Sequence, residues 1–429
     1  MIPNSTIPSS TIPSSTRGRV HVCRVDVCIV GAGPHGLAVA AHLLAATPSL
    51  RERIAIVDPS GRWMHTWHEQ FRRLEIDVLR SPSVHHPGVD PAALARFVDV
   101  GHLARSGLPY DPPFTRVFAQ YCAGLIELLA LGDMVTPARV LDIDADDVMT
   151  VHTTAGPIEA RHVVWTANTA SRVLPDRCTD GGGSSLCHSG DIDLGRIGSL
   201  DGDHVVVVGG GLTAGHLVLG ALARGAGVTL VTRRPIVERD FDVEPGWLGP
   251  RYLDAFERLP TPAQRLQSAR DGRGGGSMPE WMCRRIEHEV AAGRVEHVVS
   301  PIDGATFGDA GGEVWVAGRA IAADHCWLAT GTRPDALADP ALAAHVDHHI
   351  DGIPIVDADL RIGAAPIHVT GRLATIEVGP AAGNLWGARA AARRISRALT
   401  GIDLDTDSVV TIDPPRPLTG VVSGGGGTQ

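Results

Sequence analysis

The sequence predicts an α/β fold built from two Rossmann-like three-layer domains, and three observations carry that prediction. The first is "VDVCIVGAGPHGLAVAAHLLAATPSLRERIAIVD", Val25 to Asp58, which reads as an apolar strand, a glycine-rich turn, an Ala-rich helix and a second strand. The second is "DHVVVVGGGLTAGHLVLGALARGAGVTLVTRR", Asp203 to Arg234, which repeats the same order. The third is a pair of apolar strands that lead into small residues, "HVVWTAN" at His162 to Asn168 and "HCWLATGTRPD" at His325 to Asp335. Alternating strands and helices of this kind stack into parallel sheets, and 429 residues leave room for two such units.

Composition narrows the function. An apolar share of 44% with 20% charged residues belongs to a globular protein with a sizeable core. No stretch approaches the ~18 apolar residues of a membrane span. All 38 basic residues are arginine, which excludes a Schiff-base lysine, a P-loop lysine and a lysine general base. A net charge of −10, with no basic run beyond short Arg pairs, argues against a nucleic-acid partner. The seven cysteines form no C-x-x-C pair, so neither a redox dithiol nor a zinc knuckle is expected, and a cytoplasmic location with reduced thiols is. The IPNST, IPSST, IPSST repeats make residues 1–22 a disordered leader, and residues 401–429, ending in "SGGGGTQ", a flexible tail.

In the first unit the strand Val25 to Val30 feeds Gly31, Gly33 and Gly36 in G-x-G-x-x-G register. The glycines serve a tight turn, close approach to a pyrophosphate and close helix packing, while the first helical turn, with Pro34 and His35, points its N–H groups at the phosphates. The next strand ends in Asp58, a carboxylate able to accept both ribose hydroxyls. The second unit carries Gly209, Gly211 and Ala214 in G-x-G-x-x-A register, with Thr213 in the same helical turn. Thr232 stands where Asp58 stands in the first, followed by Arg233 and Arg234. A carboxylate there would repel a 2′-phosphate, and guanidinium groups bind one. The first loop therefore suits FAD and the second NADPH.

With these motifs the sequence resembles the FAD- and NADPH-dependent oxidoreductases that include flavin monooxygenases and amine N-hydroxylases, over nearly all of Val25 to Leu399. The two small-residue strands look like that family's crossover segments, and Thr330 and Gly331 make the second a good A-T-G match. The resemblance implies an NADP-binding domain inserted in the FAD-binding domain: FAD-binding residues 23–174, NADP-binding residues 175–333 and returning FAD-binding residues 334–400. The closing "IHVTGRLATIEVGPAAGNLWGARAAARRI", Ile367 to Ile395, reads as a strand, a Gly-rich loop and an amphipathic helix. By resemblance that helix aims its N-terminus at the pyrimidine end of the flavin, which adds Gly371, Gly379 and Asn384 to the cofactor-binding set.

Hydride must pass from nicotinamide to flavin, and the sequence weighs where the electrons go next. A disulfide reductase needs a cysteine pair near the flavin, and "PSGRWMHTWHEQFRRLEIDVLRSP" after Asp58 holds none. The Baeyer-Villiger pattern is broken: His188 holds its central place, but Gly182, Ser184 and Ile192 occupy the others. Amine N-hydroxylases carry a mostly helical insertion beside the substrate pocket, and residues 241–295, with Trp247, Tyr252 and Trp281, are a candidate. The expected activity is N-hydroxylation of a small amine or amino-acid-like substrate with molecular oxygen, through a C4a-hydroperoxyflavin. Sulfur or carbon oxygenation, or a plain NADPH-dependent reductase, are the alternatives.

Trp63, His65, Trp67 and His68 follow the ribose strand, and Trp67 is the residue expected to stack on the flavin. "LRSP" at Leu79 to Pro82 reads as a flavin-side loop and "DPAALARF" at Asp90 to Phe97 as a capped helix. His85, His86, His345, Asp347, His348 and His349 show no zinc spacing, so no metal is expected. No residue is assigned a catalytic role.

Overall fold

The computed structural model describes residues 23–145, 148–180 and 185–404. The expected leader and most of the expected tail lie outside those residues, as do Gly182 and Ser184.

The first sheet has seven strands. Cys23–Val30 lies between Ile54–Asp58 and Gly156–Trp165, parallel to both. Its last four residues are buried, as expected of a strand covered on both faces. Gly156–Trp165 takes two further neighbours along its other edge: the antiparallel strand Met149–Thr153, and the parallel strand Ile367–Val369. The helices Pro34–Ala46 and Leu385–Thr400 meet through small buried residues, among them Ala38, Ala41, Ala388, Ala391 and Ala392. Ser396 adds a hydrogen bond to the carbonyl of His42 (3.2 Å).

Between Trp165 and Ile367 the chain builds a second unit. Its five-stranded sheet is parallel, in the order Val295–Val299, Gly227–Thr232, His204–Val208, His325–Leu328, Leu186–His188. One face packs on the helices Leu212–Leu222 and Glu280–Ala291, through Leu217, Val218, Met282 and Ile286. The other packs Val206, Val208 and Val231 on Phe307 and Val314 of a four-stranded sheet. Two short antiparallel strands, Ala170–Arg172 and Thr332–Pro334, carry the chain out and back. The sheet order thus nests the second unit within the first.

The helical insertion takes a different extent from the one expected. Glu280–Ala291 is the crossover helix between the strands Gly227–Thr232 and Val295–Val299, buried by its own unit's core. Its amphipathic period is that of any crossover helix, which is why sequence merged it with its neighbours. The true extra piece holds the turn Pro245–Leu248 and the helices Pro250–Glu257 and Pro262–Arg273. Trp247 lies edge-on to Tyr252 and Phe256, at 5.5 and 6.0 Å, so these aromatic rings form the insertion's own small core. Leu266 packs with Ile353 and Ile376, and Arg265 pairs with Glu377, tying the insertion to the returning first unit.

Several histidines are buried neutral. His86 accepts hydrogen bonds at Nδ1 from Gly88 N (3.1 Å) and Tyr121 OH (2.9 Å), which leaves Nε2–H to donate to Pro91 O (3.2 Å). Burial lowers its pKa to about 3 and that of His42 to about 4. An unfolded histidine takes up a proton near pH ~6.5. These groups therefore stabilise the fold fully above that value, and the contribution is lost as pH falls toward the folded pKa. Each costs up to about 1.4 kcal/mol per pH unit in that window. Urea midpoints should be flat from about pH 8 to 7 and fall steadily below about 6.5. In His86→Gln the acid slope should lose one histidine's share, and an unchanged slope would show that His86 is not held neutral.

Candidate dinucleotide and substrate site

The three glycines of the first loop do different things. Gly31 has φ +106°, and a Cβ there would lie 2.8 Å from Ala167 N. A Cβ on Gly36 would meet Gly31 O at 2.1 Å. The protein itself demands both. Gly33 is extended, at φ −86° and ψ −169°, and has nothing within 4 Å of a would-be Cβ. It heads the helix Pro34–Ala46, which has no side-chain cap, so the open space beside Gly33 faces unsatisfied N–H groups. A phosphate fits there. Asp58 accepts Ala32 N at Oδ2 (3.0 Å) and Ser60 N and Oγ at Oδ1 (2.9 and 2.6 Å), which orients its remaining lone pairs at the loop's edge.

His35 supplies a second mark of an absent partner. Its Nδ1 is buried without a hydrogen bond, and burial lowers the ring's pKa to about 4, so it stays neutral. A Cβ on Gly371, whose φ is +67°, would sit 3.6 Å from His35 Cε1. The first loop and the closing segment therefore meet where one dinucleotide would span them. Asn384 caps the last helix by accepting Gly387 N (2.9 Å) and donates to Asp242 Oδ1 (3.2 Å). Gly379 lies elsewhere: its φ is +90° and its missing side chain faces Leu253 and Phe256, so it makes room for the insertion.

In the second loop Gly209, at φ +146°, lets the turn pass Ala329 O, which a Cβ would meet at 2.4 Å. Gly211 heads the helix Leu212–Leu222, which has no side-chain cap, and Thr213 is only partly buried in its first turn. Ala214 is fully buried beneath. Both arginines are exposed, but Arg234 donates to the carbonyls of Gly274 and Gly276 (3.4 Å to the latter), leaving Arg233 the one without such a tether. Thr330 donates to Val173 O, and Gly331 O accepts from His188 Nε2 (3.0 Å). His188 Nδ1 accepts from Gly190 N (3.1 Å), which fixes the tautomer and makes His188 a brace for the crossing.

The tryptophans depart from expectation. Trp67 stacks on Phe71 at 4.2 Å and leans on Phe118 at 5.1 Å, and Trp63 is buried with its indole donating to Leu131 O (2.9 Å). Both pack the first unit, Trp67 with one face of its indole against Phe71. His65 is half-buried and His68 exposed. His345 bonds to Ile143 O (2.8 Å), and no group of three metal-ligating side chains exists among the described residues.

Sequence reasoning missed three arginines. Arg80 donates to the carbonyls of Asp240 (3.0 Å), Arg239 (2.5 Å), Phe241 (2.6 Å) and Ser277 (3.2 Å), and to Ser277 Oγ (2.9 Å). Burial lowers its pKa to about 10. Arg372 reaches Thr332 O and Oγ1 (both 2.7 Å), and Arg273 bridges Asp242 at 2.9 Å. A small surface cleft is lined by Arg80 itself with Leu79, Pro109, Asp240, Phe241 and Trp281. Its acid and aromatic rings suit a small cation on an apolar stem.

The glycine geometry makes a sharp test. Gly33→Val should fold with normal thermal stability and purify without yellow FAD, because only a bound phosphate is in the way. Gly36→Val should fail to fold stably. A yellow Gly33→Val protein would remove the first loop from the cofactor site.

Residues 28–168 match the model of an FAD-NAD(P)-binding family. A search of curated proteins gave no match. Among solved structures the chain resembles the ornithine N-hydroxylase of Kutzneria sp. 744, solved with reduced FAD, NADP+ and L-ornithine, at TM-score 0.73 and 19% identity over 88% of this chain and 99% of that one. It also resembles the FAD-bound cadaverine monooxygenase of Erwinia amylovora, at 0.72 and 17% over 91% and 98%. A bacillithiol disulfide reductase of Bacillus cereus matches at 0.58 and 17% over 88% and 99%. Different activities thus share this scaffold, and likenesses this distant speak for the fold. The chain has the fold of the two-dinucleotide, FAD- and NAD(P)H-dependent flavoproteins.

Proposed function

We propose that this protein is an FAD- and NADPH-dependent monooxygenase that N-hydroxylates a small amine. The observation that carries the reading is the opposition of the two loops: a carboxylate, Asp58, at the first strand end, and Arg233 with Arg234 at the second. The first arrangement accepts ribose hydroxyls and the second a 2′-phosphate.

Bound FAD would take hydride from NADPH and bring molecular oxygen into reaction. The protein's own groups do the rest. Helix Pro34–Ala46 and Asp58 would hold the adenosine diphosphate end, neutral His35 and Gly371 would line the path onward, and the Asn384-capped helix would offer its positive terminus to the flavin. Two features favour an amine. Asp240 places a carboxylate in the cleft beside the rings of Phe241 and Trp281, with Arg80 in the same wall. The structurally similar ornithine N-hydroxylase and cadaverine monooxygenase both act, by name, on aliphatic amines.

A thiol route has little support. Cys28, Cys122 and Cys326 are buried, with thiol pKa values pushed up by burial, and none of the seven cysteines lines the cleft. Replacing all seven by Ser or Ala should leave NADPH-driven bleaching of the flavin intact in protein that folds and holds FAD. Loss of bleaching would point to a redox cysteine.

The reaction is tested by following NADPH, oxygen and peroxide with a panel of aliphatic diamines and amino acids. A substrate amine should raise NADPH oxidation and lower the peroxide released, with hydroxylamine product by mass. Peroxide matching NADPH for every amine would make the protein a reductase or oxidase. Arg233→Ala should raise KM for NADPH about ten- to a hundredfold, the loss of a charge-assisted bond of roughly 1.5 to 3 kcal/mol. KM for NADH should barely move.

A further inference from the structure

The segment Gly272–Ser277, the end of the helix Pro262–Arg273 and the loop that follows it, joins the insertion to the second unit, and arginine side chains hold it. Arg239 donates to Gly272 O (3.4 Å) and Arg273 O (3.0 Å), Arg234 to Gly274 O and Gly276 O, and Arg80 to Ser277 O. Gly274 and Gly275 have φ of +64° and +85°, so the segment is bent into a shape that few other residues would take. It lies on the second dinucleotide loop: a Cβ on Gly276 would come within 3.1 Å of Gly211 N. Gly211 heads the helix whose N–H groups receive a pyrophosphate in such units.

We propose that Gly272–Ser277 is a strap that closes the phosphate face of the second loop and is lifted when the reductant binds. The inference rests on the reading that this loop takes NADP(H). Two of the strap's attachments are ones that a nucleotide replaces. Pyrophosphate needs the space at Gly211 N that Gly276 fills. A 2′-phosphate is a stronger acceptor for Arg234 than the carbonyls of Gly274 and Gly276, because the bond becomes charge-assisted on both sides.

Lifting the strap has a consequence on the flavin side. Arg273 at its start bridges Asp242 Oδ2, and Asp242 Oδ1 accepts from Asn384, the cap of the helix Leu385–Thr400. Reductant binding at one dinucleotide loop thereby frees a carboxylate at the helix terminus that faces the other cofactor. The link is a run of named contacts through one displaceable segment, with two positions that the nucleotide biases.

The test uses the FAD-loaded full chain and NADP+ as the probe. Trypsin should cut after Arg273 about three- to tenfold faster with saturating NADP+, since the strap then spends more time open. Arg239→Gln removes bonds made only to the strap and touches neither phosphate, so it should tighten NADP+ binding by about the same factor, because the open state no longer has to be selected. Calorimetry on the two proteins reads this without turnover. If NADP+ binds but protects Arg273 and the variant binds more weakly, the segment is a fixed wall of the site, and the strap is refuted while the second loop keeps its assignment. If NADP+ binds neither protein, both fall. The wild-type cleavage assay stands even if Arg239→Gln folds poorly.

Discussion

The placement of the two units depends on one desolvated cation. Arg80 belongs to the first unit, after the strand Ile54–Asp58 and the helix His65–Arg73, yet every bond its guanidinium makes goes to residues 239–241 and 277 of the second. Burying a charge is costly unless all its donors are used. Here the donors find four backbone carbonyls and a hydroxyl, and the lowered pKa records the remaining penalty. A lysine offers three donors in a compact head and could not span this set, whereas the planar fork of arginine can. The chain has no lysine, and its cross-unit contacts exploit the fork repeatedly: Arg372 holds the crossing strand at Thr332, and Arg224 reaches Glu75 from the second unit.

That arrangement makes the cleft composite. Its floor at Leu79 and Arg80 comes from the first unit, while Asp240, Phe241 and Trp281 come from the second. The insertion hangs from the second unit's strand Gly227–Thr232 but buries Leu266 against the first unit's Ile353 and Ile376. Any rotation of one unit against the other would have to break that packing, the Arg80 bonds and the paired strands Ala170–Arg172 and Thr332–Pro334 together. A relative displacement of short segments costs far less than a rigid swing, and the glycine-rich stretch at 274–276 is where the backbone is free to supply it.

What the sequence made legible follows from how local each constraint is. Gly31, Gly36 and Gly209 stand in a readable register because a side chain at any of them would collide with backbone. Both strand–turn–helix–strand units, the nesting of one in the other and the closing strand, loop and helix were readable for the same reason: period and glycine spacing are written within thirty residues or so. Arg80 was hidden because its bonds cross about 160 residues to backbone, which leaves no pattern in side-chain types. Trp67 and Gly379 read ambiguously in the sequence for a related reason. An aromatic ring near the ribose strand stacks equally well on Phe71 as on a flavin, and a left-handed glycine makes room for Leu253 as readily as for a phosphate.

The contrast between Gly33 and its neighbours then bears on function more than the motif does. A motif glycine that the protein itself requires reports only that the turn is built; a motif glycine with extended backbone and empty surroundings is not needed by the fold at all. At the head of an uncapped helix, that smallness leaves room for an anion to approach the free N–H groups. The same reasoning applies to His35, whose buried Nδ1 has no bond, a state that costs about 1 to 3 kcal/mol unless a partner arrives. Gly33 and His35 stand two residues apart at the head of one helix, and the His35 ring lies beside Gly371 of the closing segment. In the second loop the equivalent position, Gly211, is not empty but covered by Gly276. The two loops share a register and differ in access: the space beside Gly33 is open, whereas the space beside Gly211 is covered by Gly276.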